Sequence, residues 1–248
     1  MKLFLYRIWQ LLVMAPVIIV ATIATALFTM VACWLGGGRW AGYYPQILWA
    51  RLFCWTAFVR VRVVGRENIS KKRSYIFLAN HQGAYDIFAV YGYLGHNFRW
   101  MMKESLRKIP FVGRACEVSK QVYVDTSSLA GIKRAITNSE KLLGRGMSMV
   151  IFPEGARTWD GRMRPFKKGA FILAREFNLP IVPLTIDGAF DVMPRFSKLP
   201  HWGTITLTIH RPLEPGPTPK MMAEAREAIE SSLPERCKGT GGVSRNAD

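Results

Sequence analysis

His81 and Asp86, five positions apart in ANHQGAYDIF (79–88), are a pair suited to moving a proton. A carboxylate bonded to one imidazole nitrogen leaves the other nitrogen to accept a proton from an alcohol or from water. In a continuous helix this spacing would set the two side chains about 140° apart around the axis, on different faces. A turn must therefore intervene. Gly83 supplies backbone freedom for it, and Tyr85-Asp86 open the following helix, where the dipole favours an acid in the first turn. The same letters also describe an exposed loop histidine beside an acid that caps a helix.

A second chemistry-bearing group is FPEGART (152–158). The apolar run MSMVIF leads into Pro153-Glu154-Gly155, a sharp turn that presents Arg157 at a strand end. A guanidinium matches a phosphate through two parallel hydrogen bonds. A structural turn with a solvated arginine remains the plainer account.

Both groups sit between elements that can position them. From about residue 60, short apolar runs alternate with helical patterns. VRVRVV, SYIFLAN, QVYVD, MSMVIF, PIVPLTI and GTITLTIH have the texture of strands; YDIFAVYGYLGH, SLAGIKRAITNSEKLLGRG, GAFILAREFN and KMMAEAREAIESSL have that of helices. This alternation predicts an α/β fold, a mixed, largely parallel sheet flanked by helices. Residues 61–233 form the expected domain, and 234–248 a polar tail without expected structure.

Ahead of that domain, 1–60 is expected to anchor the chain in a membrane. Residues 8–38 carry no charge, whereas a bilayer core needs only about 20 apolar residues in a helix. Trp9, Trp34 and Trp40 near the ends fit interfacial belts, and Pro16 would kink or start the helix. WAGYYPQILWARLFCWTAFVRVRVVGR mixes Trp and Tyr with Arg51, Arg60 and Arg62, as a helix in the headgroup zone would. The bases from Arg39 through KKR (71–73) place the following domain on the cytoplasmic side of an inner membrane.

Thirty-four Lys and Arg against 17 Asp and Glu give a formal charge of +17, and the first acid appears only after Arg66. With no zinc-finger spacing, basic heptads or cold-shock aromatic cluster, the balance points to anionic lipid or an acidic carrier protein, not to nucleic acid. Cys33, Cys54, Cys116 and Cys237 are scattered, so neither a metal pair nor a disulfide framework is suggested. No metal ligand spacing is present among the histidines.

The order of these blocks resembles the PlsC-like glycerophospholipid acyltransferases, specifically the 1-acylglycerol-3-phosphate (lysophosphatidate) acyltransferases. Asn80-His81 with Asp86 matches the H-x-x-x-x-D block. KESLRKIPFVGRACEVSKQVYVDT (103–126), FPEGART and PIVPLTI (180–186) resemble the second, third and fourth blocks. The resemblance implies that His81 acts as general base on the acceptor's hydroxyl, which attacks an acyl thioester directly, and that Asp86 fixes the imidazole tautomer. It places Glu154, Gly155 and Arg157 at the acceptor, with acyl carrier protein or coenzyme A as donor, lysophosphatidic acid as acceptor, phosphatidic acid as product and no prosthetic group; Asn80 and Thr158, inside the matched blocks, and Lys103, beside the second block and otherwise one of 34 basic residues, are further candidate substrate contacts. Lys167 and Lys168 match a basic position common in the family, and Pro183 is expected to shape an acyl groove.

One departure bears on the acceptor. Where family members commonly carry an arginine after the strand aspartate, this chain has Thr126. A neutral hydroxyl holds a phosphate less strongly than a guanidinium, so Lys103, Lys120 or Lys133 would have to compensate. Another lysolipid, such as a lyso-ornithine lipid, is the alternative acceptor. A lipid hydrolase lacks its G-x-S-x-G serine here. A non-catalytic lipid-binding protein is the remaining rival.

Overall fold

The computed structural model describes residues 1–125 and 127–239. Seven strands form one sheet in the order β1-β7-β6-β2-β5-β3-β4. They are β1 (Val59–Val64), β2 (Ile76–Ala79), β3 (Phe98–Lys103), β4 (Val122–Val124), β5 (Ser148–Ile151), β6 (Ile181–Asp187) and β7 (Gly203–Ile209). All neighbours are parallel except β6 and β7, so the expected mixed, largely parallel sheet is present.

Burial follows from position in this sheet. β2 and β5 are buried at every residue and β6 at all but its last, because helices cover both faces. β7 alternates buried with half-buried residues along most of its length, whereas β1, at the sheet edge, is buried only at Val59 and then alternates exposed with half-buried residues. On one face α3 (Asp86–Tyr93) packs in a core with Phe77, Val150 and Val182; on the other, α4 (Leu129–Leu143), α5 (Gly169–Glu176) and α6 (Thr218–Ser231) cover Ile76, Leu78 and Met149.

The strand β3 had no forecast from sequence. FRWMMK carries two bases and two methionines, a poor strand pattern, but Arg99 is buried. Its guanidinium donates to the carbonyls of Ser119, Phe98, Gly38 and Arg39 and to Asn97 Oδ1 at 2.8–3.2 Å. Saturating these donors is what lets a charge sit inside the fold.

The N-terminal segment forms a helical hairpin. Its first arm, α1 (Lys2–Trp34), is long and apolar enough to cross a membrane. A π-turn, Gln10–Met14, lies just before Pro16 and accommodates the missing N–H without ending the helix. The second arm, α2 (Tyr44–Thr56), runs back antiparallel, tied by Trp9 Nε1 to the Thr56 carbonyl, Trp49 Nε1 to Thr22 Oγ1 and Gln46 Nε2 to Thr29 Oγ1, at 2.9–3.0 Å. Ala50 and Cys54 of α2 join Ala89 and Val90 of α3 in one core, so hairpin and domain are packed together. The tail expected from 234 starts differently: Glu235–Cys237 form a 3-10 turn, and Cys237 is buried beside Met163, Ile229 and Leu233. Burying that thiol outweighs the polar composition of its neighbours. Residues 240–248 lie outside the described residues.

Candidate active site

Four adjacent parallel strands, β6, β2, β5 and β3, end on the same side of the sheet. Ligands of open parallel sheets bind outside these carboxyl ends. Asn80-His81 follow β2, Phe152–Thr158 follow β5, Lys103 closes β3, and Gly188–Arg195 follow β6.

Across the turn between β2 and α3, His81 Nδ1 lies 2.7 Å from Asp86 Oδ2. The carboxylate is an acceptor, which makes Nδ1 the donor and leaves the lone pair on Nε2. Asp86 is fully buried, and its Oδ2 also accepts the Gly83 N–H at 2.9 Å. Gly83 does enable the turn, but through space and not through backbone freedom. It has an ordinary negative φ, while a Cβ there would run into the carbonyl oxygens of Ala189 and Met193. Gly155, by contrast, has φ +75°, the left-handed region that side chains disfavour.

The FPEGART loop clamps the histidine from behind. Glu154 Oε1 accepts the His81 N–H and Oε2 the Arg164 N–H, both at 2.7 Å, while the Thr158 N–H donates to the His81 carbonyl at 2.9 Å. Phe152 lies flat on the imidazole, with centroids 3.9 Å apart and planes 9° apart, and Trp100 in turn stacks on Phe152 with centroids 5.2 Å apart. Burial pushes the Glu154 carboxyl up to about 8, against the downward pull of its two backbone donors.

Three of the residues expected at the substrate have partners within the protein. Asn80 is fully buried, donating to the Ile186 carbonyl at 2.8 Å and accepting its N–H at 2.7 Å; it joins β2 to β6. Glu154 spends both oxygens on backbone, and buried Thr158 directs its hydroxyl to Asp160 at 3.0 Å. In this structure the polar groups of all three are thus engaged by the protein itself. The physical reason is shared: polar groups at strand ends inside the fold must satisfy neighbouring peptide groups first.

His81 opens on a cavity of about 720 Å³ whose wall is mostly apolar. Its lining includes Thr25, Thr29 and Trp49 of the hairpin and Ile132, Ala135 and Leu173 of the domain. Lys103, Gly155 and Lys167 also line it; Pro183, Lys120 and Lys133 do not. Arg157 is half-buried outside that lining. Desolvation lowers its guanidinium below the usual arginine value, Arg195 beside it adds to the lowering, and Asp86 opposes it. Sequence reasoning gave Phe152 no role and missed Arg195 altogether. The first was visible inside FPEGART; the second stands in MPRF, which carries no motif. Thr126 lies outside the described residues.

Among known proteins, the chain is similar to a 1-acyl-sn-glycerol-3-phosphate acyltransferase of Chlamydomonas reinhardtii, 31% identical over 206 residues, 82% of this chain and 61% of that protein. One of the same description from Pseudomonas aeruginosa is 29% identical over 193 residues, 75% of this chain and 74% of that one. The chain spans about half to three fifths of the length of the algal and plant relatives it matches. In fold it is similar to the crystal structure of the 1-acyl-sn-glycerophosphate (LPA) acyltransferase PlsC from Thermotoga maritima, with TM-score 0.64 and 24% identity, covering 86% of this chain and 93% of that one. The acyltransferase family model matches residues 60–187. That span holds the His81–Asp86 pair and the loop that clamps it, and it exceeds half of the 248 residues: this chain belongs to the acyltransferase family.

Proposed function

We propose that this protein transfers a fatty acyl group from a thioester, on acyl carrier protein or coenzyme A, to the free hydroxyl of 1-acylglycerol 3-phosphate, giving phosphatidate. The observation that carries this reading is the 2.7 Å His81–Asp86 contact at the wall of an apolar cavity. Its size falls within the roughly 300–1,000 Å³ of ligand sites, and its apolar wall suits acyl chains.

In the reaction, His81 Nε2 takes the proton of the acceptor hydroxyl as the oxygen attacks the thioester carbonyl. Asp86 stabilises the imidazolium that forms, and the Phe152 ring face adds attraction to that cation. The tetrahedral intermediate then collapses, the C–S bond breaks, and the imidazolium returns its proton to the departing thiolate. No enzyme nucleophile is needed. Lys103 and Arg157 supply positive charge for the phosphate, and Gly155, having no side chain, leaves room for the acceptor.

We further place the hairpin in the cytoplasmic leaflet of the inner membrane, with the domain facing the cytoplasm. At about 1.5 Å per residue the 33 residues of α1 extend roughly 50 Å, with Phe4, Leu5, Leu11, Ile19, Val20 and Phe28 exposed. Both ends meet the domain: Gln10 Nε2 donates to the Pro200 carbonyl at 2.8 Å, and Gly38, just beyond the other end, accepts from Arg99 at 2.9 Å. A helix docked at both ends on one domain favours embedding from one side over spanning. Protein purified in detergent and supplied with an acyl thioester should acylate lysophosphatidate in preference to lyso-ornithine lipid and other lysophospholipids. Equal or greater turnover of a lyso-ornithine acceptor would overturn the substrate assignment.

A further inference from the structure

A phosphate monoester is close to doubly charged at neutral pH, and the family blocks leave its site one cation short because of Thr126. The fold brings a guanidinium from outside the matched span to this place. Arg195 follows β6, and Met193, two residues before it, accepts the Ala84 N–H of the catalytic turn at 3.1 Å. The close approach that requires Gly83 is the same contact. Arg195 Nη1 reaches the Arg157 carbonyl at 3.4 Å, and its guanidinium lies 4.2 Å from the centre of the Trp159 ring. Thus Arg195 ties the catalytic turn to the FPEGART loop.

Resting on the reading above, we propose that Arg195 is a specificity-determining cation that joins Arg157 in holding the phosphate monoester of the acceptor. Among the described residues neither guanidinium has a carboxylate within ion-pair distance. Each is half-buried; burial is the main cause that lowers the Arg157 guanidinium, and Arg195 beside it adds to the lowering. Two like charges kept together without a counterion are relieved by an anion, and a dianion matches two cations. Trp159 offers its ring face to hold Arg195 in place before the ligand arrives. Phosphate chemistry is common to the lysolipid and to the phosphopantetheine arm of the donor, so the test must separate the two.

The test measures steady-state kinetics in detergent with the full chain. Arg195→Ala should raise the KM for lysophosphatidate about 10- to 100-fold, the loss expected for charge-assisted contacts, and this should carry most of the fall in kcat/KM. The KM for the thioester should stay within about twofold. Arg195→Lys should recover part of the affinity, and Trp159→Leu, which removes the ring but keeps the charge, should give an intermediate KM. Inorganic phosphate should inhibit wild type more strongly than Arg195→Ala. An unchanged lysophosphatidate KM overturns the proposal, as does a rise confined to the thioester, which would assign Arg195 to the donor. Binding of a His81→Ala background to phosphatidylcholine vesicles doped with lysophosphatidate supplies a readout independent of turnover. Arg195-dependent binding without any acylation by wild type would sink the proposed reaction and leave this site standing; acylation with no Arg195 dependence would do the reverse.

Discussion

The turn that carries His81 and the N-terminal hairpin are built on opposite terms. Around His81 nearly every polar atom is committed: its N–H to Glu154, its carbonyl to Thr158, its Nδ1 to Asp86, its ring face to Phe152. Along α1 the side chains are largely apolar and exposed, with about a tenth of the most apolar stretch buried in the protein. One region fixes atoms to fractions of an ångström; the other offers area to a surrounding that needs no fixed geometry. Chemistry and location should therefore be separable by mutation.

The sharpest test of that separation is at the imidazole. His81→Ala should lower kcat about 10²- to 10⁴-fold, the range for loss of a general base, with membrane partition unchanged. Asp86→Asn should come close to it, because an amide can turn its NH₂ toward Nδ1 and force the wrong tautomer. Turnover by His81→Ala near wild type would remove the mechanism.

Glu154 comes next, since it acts on His81 through backbone alone. A glutamine has one acceptor oxygen for two buried N–H groups, each costing about 1–3 kcal/mol when left unmet, so Glu154→Gln should lower both melting temperature and kcat. Its pH behaviour has a defined sign. Because the folded-state value of about 8 exceeds the ordinary 4.5, the native protein holds an extra proton between those limits. That contribution to stability is complete below about 4.5 and is lost as pH rises through about 8. Melting followed by tryptophan fluorescence in detergent should fall across this window in wild type and flatten in Glu154→Gln.

How much of this the letters disclosed depended on whether the cause was local. The His–Asp pair, the alternation of strands and helices, and the apolar segment are local patterns, and each appeared where expected. Arg99 made β3 illegible, since its acceptors come from α1's far end and from Ser119, distant in sequence. Asn80 and Thr158 sat within the right motif, yet their partners, Ile186 and His81, belong to other strand ends. Gly83 was assigned the right effect for the wrong reason, because the crowding comes from 189–193. Gly83→Ala should consequently lose stability and kcat together, by pushing the His81 turn off the segment that carries Arg195; a fully stable variant would show that this segment yields easily.

The smallest expected effect lies in the hairpin and bears directly on the comparison. Leu11 and Leu12 are exposed on α1 and do not line the cavity. Changing both to Gln removes apolar area worth about 25 cal/mol per Å² that membrane burial would otherwise supply, but Phe4, Leu5, Ile19, Val20 and Phe28 still offer theirs. The double variant should therefore remain with phosphatidylglycerol vesicles and only release more readily in a flotation assay. With a short-chain lysophosphatidate dispersed in detergent, its kcat should stay within about twofold of wild type, because no bond that fixes His81 passes through these positions. A loss in detergent comparable to that of Glu154→Gln would mean that the hairpin transmits strain to the turn through α2 and α3. Location and chemistry would then be coupled through the shared core of Ala50, Cys54, Ala89 and Val90.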